Sequence, residues 1–160
     1  MALQQTLILI KPDGVARGLT GDVIKRIEQR GLKIIGLKLV KIDPDFSKKH
    51  YAAHIDKEFY KSVEDFMTSG PVVAMVIEGV EAIENVRKIA GATEGKAALP
   101  GTIRGDYSHT SYSHADEKGI AVKNVIHASG DEEDAKKEIA LWFSIDELHT
   151  YSRTDEAHVF

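Results

Sequence analysis

The chain contains no cysteine, which excludes a disulfide framework, a thiol nucleophile and any cysteine-ligated metal site. It has only 4 prolines and no biased or Pro/Ser-rich stretch, so nothing reads as an interdomain linker and no repeat recurs along it. Its longest uninterrupted apolar run, Val72 to Ile77, falls far short of the ~20 residues that a membrane helix needs. The N-terminus lacks a signal-peptide pattern, and the expectation is a cytoplasmic protein that engages no membrane. Lysine plus arginine number 21 against 25 acidic residues, a net charge of -4. That balance supplies no broad positive field for a polynucleotide backbone, so long nucleic acid is excluded as a partner. What is present is ordinary for a compact domain: 160 residues, 42% hydrophobic and 29% charged. One domain over 1–160 is expected, with a real core and a chemistry built from oxygen and nitrogen.

Leu7 to Ile10 is a short apolar run stopped by Lys11-Pro12-Asp13-Gly14, the pattern of a buried strand that delivers Lys11 to a loop. Thr20 can cap a helix with Val23, Ile24 and Ile27 at helical spacing and Gly31 as its stop. Between Leu32 and Val40, the alternation of Ile35, Leu37 and Leu39 with other residues predicts a strand with one face covered. Lys48–His54 and Phe59–Met67 read as two short helices, the second with Phe59, Val63, Phe66 and Met67 along one stripe. After the break at Ser69-Gly70-Pro71, Val72 to Ile77 is apolar on both faces and should be a central strand. Val80–Ala90 reads as a helix. Gly91 to Lys118 shows no sustained period and reads as a long, functional loop. Asn124–Ala128 is a last short strand, and Asp131–Phe143 a helix with acidic residues in its first turn, where they suit the helix dipole. This order predicts an α+β fold, a ferredoxin-like sandwich with a four-stranded antiparallel sheet covered by helices.

Several motifs fail. Gly91-Ala92-Thr93-Glu94-Gly95-Lys96-Ala97 resembles a P-loop, but its glycines are too close and alanine stands where the magnesium-holding hydroxyl belongs. No G-x-G-x-x-G is present, which removes Rossmann and protein-kinase nucleotide sites. His50 and His54 have the i, i+4 spacing of zinc ligands, yet the intervening glutamate and a third ligand are missing, so a surface or hydrogen-bonded pair is the better reading. The echo of Tyr107-Ser108-His109 in Tyr112-Ser113-His114 reads as a polar loop. His127 stands at the end of a strand beside a helix start, where an imidazole can project into a cleft with one nitrogen fixed and the other exposed. By spacing alone, such a histidine is more often structural than catalytic.

The joint pattern changes that balance. Lys11-Pro12-Asp13-Gly14, His50-Tyr51, Ser69 to Val73, Pro100 to Asp106, Asn124 to Ser129 and Glu138 to Phe143 occur in one order. Together they resemble the nucleoside diphosphate kinase family, archaeal-like branch, over essentially the whole chain. The resemblance implies transfer of the terminal phosphate of a nucleoside triphosphate to a diphosphate, in two half-reactions, through a phosphohistidine at His127. It implies magnesium carried mainly by the nucleotide phosphates, with no protein metal ligand, and a homo-oligomer, a hexamer favoured. Glu138 matches the carboxylate that fixes the histidine, and Ser129 the hydroxyl that supports the pair. Read alone, Glu138 is a solvated helix residue and Ser129 part of a cap.

Lys11, Arg87 and Arg104 match phosphate-contacting cations, which phosphoryl transfer needs where negative charge accumulates. Thr93 matches a phosphate-binding hydroxyl, Tyr51 an aromatic hydroxyl near the histidine, and Asn124 a group that reaches the sugar. Phe59 matches the ring on which the base stacks. Stacking tolerates every base, so broad base specificity is implied. Core packing is the alternative for Phe59, given its apolar stripe.

Two features depart from the family pattern. Gly130 stands where an acidic residue usually follows the serine, and a changed helix start with Asp131 as cap is expected. The stretch from Tyr107 to Lys123 is longer than in many members, and no base contact is carried over just before Asn124. A non-catalytic nucleotide-binding or regulatory module on the same fold is the alternative reading. The joint retention of His127, Glu138, Ser129, Lys11, Arg87 and Arg104 speaks against it, and against a purely structural protein.

Overall fold

The computed structural model describes residues 3–159. Its centre is a four-stranded sheet in the order β2-β3-β1-β4, formed by β1 (Leu3–Ile10), β2 (Lys33–Val40), β3 (Val72–Val80) and β4 (Ile126–Ala128). Every neighbouring pair is antiparallel. α2 (Thr20–Gln29) follows β1 and α5 (Ala82–Ala90) follows β3, the ferredoxin-like arrangement expected from the element order. β1 and β3 are central, and Leu7 to Ile10 and Val72 to Ile77 are buried on both faces, which is why these stretches are apolar runs and not alternations.

The sheet separates two cores. Ile8, Ile10, Met75 and Ile77 pack with Val23 and Ile27 of α2 and Val86 of α5. On the other face, Leu7, Leu9, Ala74 and Val76 meet Met67 of α4 (Tyr60–Met67) and Trp142 of α8 (Glu132–Trp142). No described helix is long and apolar enough to cross a membrane.

Several expectations are corrected. Leu37 and Leu39 do not share a covered face with Ile35. Lys33 and Ile34 pair with Glu78 and Ile77, and Gly36 with Val76, so Ile35 is an extra residue in the strand. The bulge turns the residues after it over. Ile35 is buried, while Leu37 and Leu39 are 52% and 61% exposed on the edge strand. Leu19, not Thr20, holds the cap position of α2, without a side-chain bond, whereas Gly31 does end it at φ +84. The helix read over Lys48–His54 is α3, Pro44–His50. Asp43 caps it by accepting from Phe46 N at 2.8 Å, and Pro44 opens it. Residues 51–56 are turns, so His50 and His54 share no helix face. Val80 ends β3 opposite Leu3, Glu81 turns at φ +49, and α5 starts only at Ala82. The stretch from 91 to 118 is not one loop. It holds α6 (Ile103–Tyr107), capped by Thr102, and α7 (Tyr112–Lys118), capped by Ser111. The remaining short helix, α1 (Pro12–Ala16), leads from Lys11 towards α2.

Candidate functional site

β1 and β4 deliver two groups to one place. Leu9 pairs with His127 across the ladder, and Lys11 N donates to Val125 O at 2.8 Å just beyond it. Between Asn124 and β4 the backbone makes a γ-turn: Ile126 N donates to Asn124 O at 2.8 Å, and Val125 sits at φ +71. A β-branched residue there stores strain of the order of 1–3 kcal/mol and persists only where its surroundings fix it. Here Asp13 accepts from Val125 N at 3.0 Å, and Gly14 makes room, since a Cβ on it would lie 2.8 Å from Ile10 Cγ2 and 3.1 Å from Val125 O.

His127 Nε2 lies 3.0 Å from both carboxylate oxygens of Glu138, and Ser129 Oγ donates to Glu138 Oε2 at 2.6 Å. Burial pushes the Glu138 carboxyl up, but hydrogen bonds from His127 and Ser129 outweigh it and hold the group below the usual carboxylate range. An ionised carboxylate accepts only, so it favours the tautomer with the proton on His127 Nε2 and a lone pair on Nδ1. Ser129 is fully buried and also accepts from Leu7 N at 3.2 Å, which ties the chain of hydrogen bonds to the sheet. Neither Glu138 nor Ser129 plays the structural part open to it in the sequence. Glu138 is turned inward, and the cap of α8 is Asp131, which accepts from Asp134 N at 2.8 Å. The insertion of Gly130 thus moves the cap one place and leaves Ser129 in position.

Cations crowd next to this pair. Burial, then the neighbouring Arg104, lowers the Lys11 ammonium to about 8, with Asp13 opposing. Burial, then Arg87, lowers the Arg104 guanidinium to about 10. Arg104 donates to Gly91 O and Ile126 O at 2.8 and 2.7 Å, and its Nε is buried without a partner among the described residues. Lys11 Nζ donates to Asn124 Oδ1 at 2.7 Å, and Asn124 Nδ2 donates to Thr93 O at 2.8 Å. Both cations are charged near neutral pH but poorly compensated, an arrangement that an incoming polyanion relieves. From Lys11 a cavity of about 530 Å³ extends past Tyr51, Phe59, Thr93 and Asn124 to α7, a size suited to a small molecule.

The family model for nucleoside diphosphate kinase matches residues 4–148. The chain belongs to the nucleoside diphosphate kinase family. Among similar members, the nucleoside diphosphate kinase of Borreliella burgdorferi is 48% identical, with 98% of this chain and 96% of that one covered. That of Pyrococcus abyssi is 50% identical over 96% and 92% of the two chains. A solved structure described as a transition state mimic of the Borrelia burgdorferi kinase with bound vanadate and ADP superposes with a TM-score of 0.94 at 47% identity. It covers 98% of this chain, which covers 96% of that one. The Halobacterium salinarum kinase in complex with CDP gives 0.89 at 44% identity, with 99% of each chain covered. As a nucleoside diphosphate kinase, the chain is a phosphotransferase, and catalysis in this family uses a divalent cation.

Of the residues carried over from the nucleoside diphosphate kinase pattern, Lys11, Tyr51, Phe59, Thr93 and Asn124 line the one cavity. Phe59 is 51% exposed at the start of α4, outside the core, so the packing alternative falls. Asn124 is nearly fully buried and engaged on both sides of its amide. Arg87 lines a neighbouring, more open groove with Gly91 and Thr102, joined to the site through Arg104. His127 lies beyond the cavity lining, reached through Tyr51 and His50, whose ring centroids are 4.6 Å apart.

His50 and Trp142 are the site residues that sequence spacing missed. The His50 ring packs edge-on to His127, 4.9 Å between centroids, and its Nδ1 accepts from Trp142 Nε1 at 3.1 Å. Burial, with His127 alongside, lowers His50 to about 3, so it stays neutral. The available signal was the i, i+4 spacing of Glu138 and Trp142, which puts both on one face of α8. Burial raises the Tyr51 hydroxyl above its usual range, so it remains protonated.

The divalent cation can be tested against these side chains. Among the described residues, the one group of three potential ligands is His50, His127 and Glu138. That set is rich in nitrogen, and its carboxylate is already engaged by His127 and Ser129. Magnesium demands an octahedron of oxygens, which this set does not offer. The chain's residues suit an ion that arrives on the phosphates.

Proposed function

We propose that His127 is the phosphate carrier. Its Nδ1 lone pair attacks the terminal phosphorus of a nucleoside triphosphate, the bond from that phosphorus to the bridging oxygen breaks, and the diphosphate leaves with the bridging electron pair. A second nucleoside diphosphate then takes the phosphoryl group back through the same steps reversed, in the same cavity. The observation that carries this reading is the line Ser129–Glu138–His127, which holds the proton on Nε2 and supports positive charge on the ring as transfer proceeds.

In this reading Lys11, Arg104 and Arg87 stabilise the charge on transferring and leaving oxygens, Thr93 binds phosphate, and Tyr51 donates close to the histidine. Asn124 reaches the sugar, and Phe59 stacks on the base with little preference among bases. Magnesium held by the nucleotide phosphates neutralises their charge when bound. Residues 1–160 act as one domain on nucleoside tri- and diphosphates in the cytoplasm, with no long nucleic acid or membrane as partner. Exposed Leu37 and Leu39 on the open edge of β2 support self-association, and the family resemblance favours a hexamer.

The test is incubation with terminally radiolabelled ATP and magnesium, followed by a GDP chase. An acid-labile, base-stable phosphoenzyme should form and disappear as labelled GTP appears, and His127→Ala should carry no label. Label retained by that variant overturns the assignment. A phosphoenzyme that never discharges supports the regulatory alternative instead.

A further inference from the structure

We propose that α7 carries a reader of the base edge, Asp116, which biases this site towards guanine nucleotides. The inference rests on the nucleotide reading of the cavity above. Besides Lys11, Tyr51, His54, Thr93 and Asn124, two stretches of the chain wall that cavity. One is the start of α4, with Phe59, Ser62 and Val63. The other is the stretch that exceeds the common family length, through Tyr112, Ala115, Asp116, Ile120 and Val122.

This second wall is a built element. Lys96 N donates to Thr110 O at 3.0 Å, Tyr112 N to a Glu94 carboxylate oxygen at 2.9 Å, and Ser108 Oγ to Lys123 O at 3.0 Å. Ser111 caps the helix, Gly119 ends it at φ +61, and Ile120 N returns to Ala115 O at 3.0 Å. The segment is thereby fastened to the loop that carries Thr93 and to the strand that leads to His127.

Asp116 is the one carboxylate among the cavity's lining residues, and it is exposed on a helix whose cap is supplied by Ser111. Phosphates belong at the opposite charge, with Lys11 and Arg104, so a carboxylate marks the end where phosphate does not go. The groups of a nucleotide that a carboxylate attracts there are N–H donors on the base. Guanine presents two adjacent donors, N1–H and the N2 amino group, which match two carboxylate oxygens. Adenine and cytosine present one amino group. Uracil and thymine present one N–H between two carbonyl oxygens, which a carboxylate repels. Stacking on Phe59 admits every base, and Asp116 grades them.

The experiment uses the full chain. The phosphoenzyme is formed with ATP and discharged in single turnovers by GDP, CDP or UDP, in the wild type, Asp116→Ala and Asp116→Asn. An exposed charged hydrogen bond that competes with water predicts kcat/KM for GDP over UDP of about five- to tenfold. The ratio should fall towards one in Asp116→Ala and further in Asp116→Asn, whose amide can donate to a uracil carbonyl. A wild-type ratio within about twofold overturns the proposal, as does a ratio that Asp116→Ala leaves unchanged, because Asp116 would then only support α7. Failure of ATP to label the protein would instead overturn the nucleotide reading, and is visible before any acceptor is added.

Discussion

Replacing Glu138 by glutamine keeps shape and volume but removes the charge behind His127. In the native site, Nε2 stands 3.0 Å from the carboxylate. Two unit charges at that distance, in a half-buried site with an effective dielectric of ~20, interact by about 5 kcal/mol. The ring gains only part of a charge in the transition state, so about 2–3 kcal/mol of this acts on the rate. A glutamine carbonyl accepting from Nε2–H returns about 1 kcal/mol. The net loss of about 1–2 kcal/mol predicts phosphorylation slowed about five- to thirtyfold, with nucleotide KM nearly unchanged. Glu138→Ala should be slower again, because Ser129 Oγ loses its acceptor at 2.6 Å and the tautomer is no longer fixed. Trp142 provides the assay. It is the chain's one tryptophan, bonded to His50, whose ring lies against His127. Rapid mixing with ATP, followed by tryptophan emission, reads the first half-reaction directly. A glutamine variant within about twofold of wild type would refute the electrostatic role, and a loss confined to KM would move Glu138 from transfer to binding.

Two further outcomes follow from the same geometry. Phe59→Ala should raise KM for all nucleotides alike, by several-fold to ~100-fold for a lost stacking platform, while urea unfolding shows little change because the ring is outside the core. His50, held down to about 3 against an ordinary value near 6.5, binds fewer protons folded than unfolded between those limits. Stability should therefore fall as pH drops through that window, by of the order of 1–2 kcal/mol between pH ~7 and ~5. His50→Gln should flatten that slope in urea titrations, and an unchanged slope would remove His50 as its source.

The parts of the fold legible in the sequence are those decided locally. Leu7 to Ile10 and Val72 to Ile77 read as buried strands because both faces are covered, and α8 announced itself through its acidic first turn. The bulge at Ile35 was not legible, since it depends on how β2 pairs with Ile77 and Val76, far along the chain. α6 and α7 are too short to show a period, and their capping signals, Thr102 and Ser111, lie among other polar residues. In the site, the resemblance named residues singly, whereas their connections are tertiary. Nothing in the spacing joins His50 to Trp142, or Asn124 to both Lys11 and Thr93.

The fit between Gly14 and the γ-turn at Val125 limits how this protein can be stabilised. Exchanging a helical glycine for alanine is a common engineering step, since it removes freedom from the unfolded chain. Gly14 lies in α1, touches no proposed phosphate contact and would rank as a safe choice on helix propensity. Its added methyl would press on Ile10 and on the carbonyl of Val125, two residues ahead of His127. A substitution chosen to toughen the scaffold would thus overpack two fully buried residues and displace the proposed phosphate carrier, so stability and transfer would be lost together.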